Sequence, residues 1–202
     1  MRPTYSHFVA RAWQIIAAVC ISISLSAEDF SADSVLLDAY QREDMSVWER
    51  YVDTATVNPH NLIYEYGLCG YKVDRDKPHA LPYVLRFQEH LEALKTQLPA
   101  GHYEMYLSSV YVYKLRLHET FRPVKAMSLA KEATKLAPND PLVLCYYGTS
   151  LFFAPKPFGS KAEALSWFEK AEKYFRKAEW KYCWVKVFND MYIGQCHEKL
   201  NR

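Results

Sequence analysis

The feature that most constrains this chain is a spacing of small residues that occurs twice in its second half. Each occurrence has three positions, four and then three residues apart: Ala126, Ala130 and Ala133 in the first, and Ala164, Phe168 and Ala171 in the second. Residues at this spacing share one face of an α-helix. Small side chains on that face let a neighbouring helix approach closely, and a larger one such as Phe168 fills the remaining space. The spacing therefore predicts helices that stack against one another.

Helical periodicity extends along the chain after Glu28, and proline or polar turns interrupt it. It predicts helices over 33–57 (broken near Asp44), 62–73, 79–97, 103–119, 123–136, 141–153, 161–175 and 179–199. Pro123 and Pro141 suit helix starts, and Ser160 with Glu163 forms a capping-box pattern. The chain has only six glycines and no Asn-Gly or Asp-Gly turn, which argues against β-hairpins. We therefore expect an all-α fold of about nine helices, in one domain over residues 28–202.

The segment 138–171 has the residue order of a known repeat. Bulky residues surround a glycine, and the alanine and phenylalanine spacing follows, in the order Leu144, Tyr147, Gly148, Leu151, Ala164, Phe168 and Ala171. This order resembles the tetratricopeptide repeat signature. Part of it recurs as Ala126, Ala133 and Pro138 in the preceding unit, and Gly194 occupies the glycine position in the last helix. The resemblance implies a right-handed α-solenoid of antiparallel helix pairs that binds a protein or peptide partner in a concave groove.

The resemblance also implies which residues line that groove. By register they are Tyr66, Ser108, Tyr111, Leu115, His118, Leu142, Cys145, Thr149 and Phe152, with Ile63 at one end and Met191 and Gln195 at the other. The chain has 16 tyrosines, and tyrosine combines apolar area with a hydroxyl group at a low entropic cost, which suits a binding surface. The alternative is that these tyrosines fill the spaces between helices. The groove lacks the lysine and arginine cluster of the family members that bind a partner's C-terminal carboxylate.

The first residues have the pattern of a secretory signal peptide. Arg2 and Arg11 precede an uncharged apolar run, Ala12–Leu25, and the small residues Ser26 and Ala27 follow it. The run is shorter than the ~20 apolar residues that span a bilayer. We therefore expect a signal peptide over residues 1–27, export to the periplasm or the medium, and no membrane span. Lipid attachment at Cys20 and a buried N-terminal helix are the alternatives.

The charge of the chain is nearly balanced, with 25 lysines and arginines against 23 acidic residues. Without Arg2 and Arg11, which belong to the predicted signal segment, the two totals are equal at 23. No basic stripe interrupts this balance. We therefore expect neither nucleic acid nor an anionic membrane surface as a partner.

Motifs that carry catalysis or bind metals are absent from the sequence. It has no His-Glu-x-x-His zinc motif, no Gly-x-Ser-x-Gly nucleophile turn and no glycine-rich phosphate loop. The cysteines outside the signal segment are Cys69, Cys145, Cys183 and Cys196, and no two of them form a Cys-x-x-Cys pair. We interpret them as buried free thiols, with disulfides as the alternative in an exported protein. We expect no enzymatic activity, no cofactor and no metal.

Together these patterns favour an exported scaffold that binds a protein or peptide partner. Two other functions stay open. The chain could be a small-ligand-binding accessory protein for transport, because the predicted groove is apolar and aromatic. It could also be a structural subunit that forms a homo-oligomer through its last helix, where Trp180, Trp184, Val187 and Met191 have no following repeat to cover them.

Overall fold

The computed structural model describes residues 32–177 and 183–201, apart from the side chain of Cys183, and all regular structure in these ranges is helical. The helices are α1 (32–41), α2 (Ser46–Thr54), α3 (Leu62–Arg75), α4 (Lys77–Leu94), α5 (His102–Arg116), α6 (Pro123–Leu136), α7 (Pro141–Phe153), α8 (Lys161–Phe175) and α9 (Cys183–Leu200), with a short 3₁₀ helix (Lys95–Gln97) after α4. The predicted all-α class is confirmed for the described residues. None of their helices is long and apolar enough to cross a bilayer. The predicted signal segment 1–27, with Cys20, and Trp180 lie outside them.

Helices α7 and α8 each begin at a side-chain cap, and the sequence predicts the one at Ser160. Asp140 precedes α7, and its Oδ1 accepts hydrogen bonds from the backbone N–H groups of Leu142 at 2.9 Å and Val143 at 3.1 Å. Ser160 precedes α8, and its Oγ accepts one from the Glu163 N–H. These bonds satisfy backbone donors that have no partner within the helix. The predicted break near Asp44 is confirmed between α1 and α2.

Several predicted helix boundaries differ from the structure by two or three residues, and two of these differences have a clear local reason. Helix α5 ends at Arg116 instead of 119, because His118 adopts a left-handed φ of 63° and the Glu119 N–H bonds back to the Lys114 carbonyl oxygen. Helix α4 begins at Lys77 instead of 79. Pro78 then lies in the first turn, where the missing N–H of proline costs no hydrogen bond.

Consecutive helices from α2 to α9 pack against each other, and alternate helices also touch. The most extensive associations join α7 with α8, α5 with α6, α8 with α9, and α3 with α4. In addition, α3 contacts α5, α5 contacts α7, and α7 contacts α9. The odd-numbered helices from α3 onwards therefore form one continuous layer, and an even-numbered helix packs beside each of the first three.

Most small residues of the repeat signature lie where two helices meet. Ala126, Ala133, Ala164 and Ala171 are buried, as are Phe168 and Gly148. A Cβ atom on Gly148 would lie 2.8 Å from the ring of Phe168, so a glycine is what allows α7 and α8 to approach this closely. Pro138 is exposed in the turn between α6 and α7. Gly194 differs, because a Cβ there would meet no atom within 4 Å. It belongs to the face of α9 against which no described helix packs.

Candidate functional site

Aromatic side chains from six helices meet around Tyr66 of α3. The ring of Tyr66 lies 5.9 Å from Tyr106, 6.1 Å from Tyr146 and 6.2 Å from Trp184, measured between ring centres. We call this group the inner aromatic cluster; its members are Tyr40, Trp48, Tyr66, Tyr106, Tyr113, Tyr146, Trp184, Phe188 and Tyr192. Burial raises the pKa of Tyr66 well above its ordinary value, so its hydroxyl stays neutral. The cluster fills space between helices. Its tyrosines therefore follow the alternative given above, in which they are packing residues and do not form a binding surface.

Within the cluster, the first and last described helices meet. The Trp48 ring of α2 lies 5.7 Å from that of Trp184 in α9, and the Tyr40 ring of α1 lies 5.0 Å from that of Phe188 in α9. Both tryptophans cover Gly67 of α3, where a Cβ atom would lie 2.7 Å from Trp48. Helix α9 therefore packs over the aromatic side of α3, together with α1 and α2. Gly67 is not among the residues predicted to lie where helices meet, because it lies outside the predicted repeat spacing.

Four of the predicted groove residues lie in the spaces between helices. Leu142, Cys145 and Phe152 of α7 are about 95% or more buried, and Phe152 contacts Tyr192 of α9 at a ring distance of 5.5 Å. Ser108 of α5 is buried, and its Oγ donates to the Ala126 carbonyl oxygen while accepting a hydrogen bond from Tyr146. Each of these side chains already has protein neighbours on the side that a ligand would occupy.

The described cysteine side chains are free thiols buried inside the fold, namely Cys69, Cys145 and Cys196. This agrees with the interpretation of the cysteines as small buried apolar groups. Burial raises the pKa of Cys145 to about 12. At neutral pH its sulfur is therefore protonated and a poor nucleophile. Thr149, one helical turn further on, donates its hydroxyl to the Cys145 carbonyl oxygen at 2.9 Å.

Tyr111 of α5 lies on a different face from the inner cluster and lines an open cavity of about 270 Å³. We call this cavity the α5 cleft. Its walls are Gln88 of α4, Leu107, Val110, Tyr111 and Lys114 of α5, and Glu119, Thr120 and Arg122 of the loop before α6. Of the other predicted groove residues, Leu115 is partly exposed in the last turn of α5, and His118 is exposed in the loop that follows. The structure therefore separates Tyr111 from Tyr66, Cys145 and Phe152.

The most exposed apolar side chains of the described chain adjoin the α5 cleft. Phe121 is 85% exposed and Val124 is 68% exposed, and they flank Arg122 and Pro123 in sequence. Leu85, one turn before Gln88 on α4, is 49% exposed. A surface that combines a cavity with uncovered large apolar groups is typical of an interaction site. Phe121 is not among the predicted partner-binding residues, because it lies in a loop, where the helical register assigns no face.

Charged side chains of α2, α3 and α4 form a separate network, in which they satisfy each other. Lys72 is largely buried, and its Nζ lies 2.6 Å from Glu49 and 3.1 Å from Asp76. Burial acts to lower the pKa of Lys72, but the hydrogen bonds to these two carboxylates outweigh it and raise that pKa. Lys72 therefore has two anionic partners, which compensate the charge of this largely buried ammonium group.

A second buried pair joins α3 to α4. Glu65 is 6% exposed and lies 2.9 Å from His90 Nδ1. Burial raises the pKa of Glu65, and the hydrogen bond with His90 offsets this only in part. In the part of the chain that the structure describes, no three histidine, cysteine or acidic side chains are arranged to hold a metal ion.

No protein-family model matches this chain. Comparisons with the curated proteins and with the solved structures likewise find no significant match.

Proposed function

We propose that this chain is an exported, tetratricopeptide-like scaffold that binds a protein or peptide partner and catalyses no reaction. The contacts between helices support the architecture: α4, α6 and α8 pack beside α3, α5 and α7, α9 packs on α8, and the odd-numbered helices form a continuous layer. Stacked helix pairs with this connectivity form a solenoid, whose handedness in the tetratricopeptide family is right-handed. Solenoids present extended surfaces, and most of their known uses are in holding other molecules. The signal-like segment 1–27 supports export.

The observation that carries the proposal is the α5 cleft with Phe121 and Val124 beside it. Phe121 is 85% exposed, and its neighbours in sequence, Thr120 and Arg122, line the cavity, so a partner bound there would remove apolar area from water. The inner side of the helix layer is less suited to a partner, since the inner aromatic cluster and α9 already fill it. The partner therefore binds at the α5 cleft in this proposal, and Tyr111 is the one predicted groove residue that contacts it.

A binding role without catalysis is supported by the state of the reactive groups. The thiol of Cys145 has a pKa of about 12, Glu65 is bonded to His90 at 2.9 Å, and Lys72 is paired with Glu49 at 2.6 Å. Catalytic groups need an accessible position and a pKa matched to their reaction. These buried and paired side chains have neither, and the proposal requires no cofactor or metal.

The proposal is tested by photocrosslinking in the cells from which the protein comes. Benzoyl-phenylalanine replaces Phe121 beside the α5 cleft or, as the control, Leu136, which is 46% exposed in the last turn of α6 and does not line the cleft. The expected result is one discrete adduct with another protein at position 121, and none at position 136. No protein adduct at 121, or the same adducts at both positions, would contradict the proposal.

The other two functions predict different products in the same experiment. A homo-oligomer that uses the exposed Val187 and Met191 of α9 gives adducts of the chain with itself, and only from a crosslinker placed on α9. A small-ligand protein gives no protein adduct, and native mass spectrometry of the purified chain shows a bound compound. Either result would contradict the scaffold function and support the corresponding alternative.

A further inference from the structure

We infer that the α5 cleft binds a partner segment in which an acidic side chain stands next to aromatic or large aliphatic residues. This inference rests on the proposed scaffold function and adds the chemistry of the partner. It follows from the positions of two cations, Lys114 and Arg122, and of two exposed apolar side chains, Phe121 and Val124.

The cleft contains two positive charges that lack a negative partner. Lys114 is partly buried, and its Nζ donates to the neutral amide oxygen of Gln88 at 2.5 Å. Neither Lys114 nor Arg122 forms an ion pair with any described carboxylate, and this includes Glu119 in the same cleft. By contrast, Arg116, two residues further along α5, pairs with Asp74. With one acidic and two basic side chains, the cleft keeps a net positive charge, which favours a carboxylate from outside.

The apolar groups beside the cleft indicate what surrounds that carboxylate. Phe121 lies next to Arg122 in the chain, and Val124 lies two residues beyond it in the first turn of α6. Leu107 and Val110 form part of the cleft wall. A ligand with only charge, such as free phosphate, would leave this apolar area in water. A peptide segment with a large apolar residue beside Asp or Glu would cover the apolar area and pair with the two cations at once.

The test uses the whole exported chain as bait for a display library of short random peptides. Wild type is compared with a double variant that carries Lys114→Gln and Arg122→Gln, and with Phe121→Ala. The control carries Lys131→Gln and Lys173→Gln, which remove two exposed charges on α6 and α8 that form no ion pair with a described carboxylate. Fluorescence anisotropy then measures the affinity of the selected peptides at low and high salt.

We expect the selected peptides to contain Asp or Glu beside Phe, Trp, Leu or Ile. The Lys114/Arg122 variant should bind them about tenfold more weakly or worse, as should Phe121→Ala, while the Lys131/Lys173 control keeps wild-type affinity. Added salt should weaken binding to wild type and have little effect on binding to the Lys114/Arg122 variant.

Two outcomes would overturn the inference and separate it from the proposed function. Selected peptides that are basic, or that bind the cleft variants as well as wild type, would reject the acidic–apolar segment while the scaffold function stands. If no peptide is selected although position 121 crosslinks to a partner protein in cells, the partner recognises the cleft by other chemistry. If both experiments fail, the scaffold function fails as well.

Discussion

At the scale of single residues, the repeat pattern contains two glycines in opposite environments. Gly148 faces the Phe168 ring, and that ring cannot move away easily, because Tyr192 stacks against it at a distance of 5.4 Å and 13° between the planes. Gly194 has the equivalent position in α9, but open space lies in front of it. The same residue type therefore permits close helix packing at the first position and costs helix stability at the second.

This contrast makes a direct prediction about two matched substitutions. Gly148→Ala places a methyl group against Phe168 and should destabilise the fold, since overpacking costs about 1–3 kcal/mol and exceeds the gain in helix propensity. Gly194→Ala should leave stability unchanged or raise it by up to about 1 kcal/mol, because only the propensity changes. Urea denaturation of both variants measures the difference, for which we expect about 2 kcal/mol. Equal effects would mean that Gly148 is not needed for the contact between α7 and α8.

At the scale of an element, Asp140 joins the start of α7 to α5. Its Oδ1 caps α7, and its Oδ2 lies 3.0 Å from His102 Nε2 in the first turn of α5. Burial acts to raise the pKa of Asp140, but the interaction with His102 and the two backbone hydrogen bonds outweigh it, so the pKa lies below its ordinary value. A carboxylate with a lowered pKa stabilises the fold in its charged form.

The sign of this shift predicts how stability depends on pH. The contribution of Asp140 is fully present above the ordinary pKa of about 4 and is lost as the pH falls through the lower pKa of the folded state. Asp140→Asn keeps a capping oxygen but removes the charge, and should cost about 1–2 kcal/mol at pH 7. Denaturation of wild type and variant across the acid range should show this difference shrinking as the pH drops below about 4. A difference that stays constant down to the lowest pH would show that the charge does not matter.

At the scale of the whole molecule, the two ends of the described chain pack together. In an open solenoid, each helix pair contacts only its neighbours, and terminal helices open first. Here α2 and α9 share the surface of α3 at Gly67, and α1 contacts α9 through Tyr40 and Phe188. We therefore expect the terminal helices to open together, at a free energy close to that of the central ones.

Hydrogen exchange tests this coupling with the substitution Gly67→Ala. The added methyl group would lie 2.7 Å from Trp48 and 3.2 Å from Trp184, so it should push α2 and α9 away from α3. Amide exchange should become faster in both helices, although they are far apart in sequence, while Gly194→Ala leaves it unchanged. Faster exchange in only one of the two helices would show that the ends open independently.

The sequence by itself determined the features that depend on neighbouring residues. Apolar periodicity, proline positions and the cap at Ser160 predicted the all-α class and most helix boundaries, because helix formation is set by side chains within a few turns. The small residues Ala164 and Ala171 were identified for the same reason, since their spacing is local. Where a boundary was wrong, as at His118, a single left-handed residue ended the helix, and no local pattern marks that conformation in advance.

Only the tertiary structure decided which surface remains open. The predicted groove combined residues that one helical register places on a common side, yet Tyr66 and Cys145 are packed against other helices while Tyr111 lines a separate cleft. Trp48 and Trp184 meet over Gly67 and close the inner side. This contact joins distant parts of the chain, so the residue spacing within one segment does not contain it.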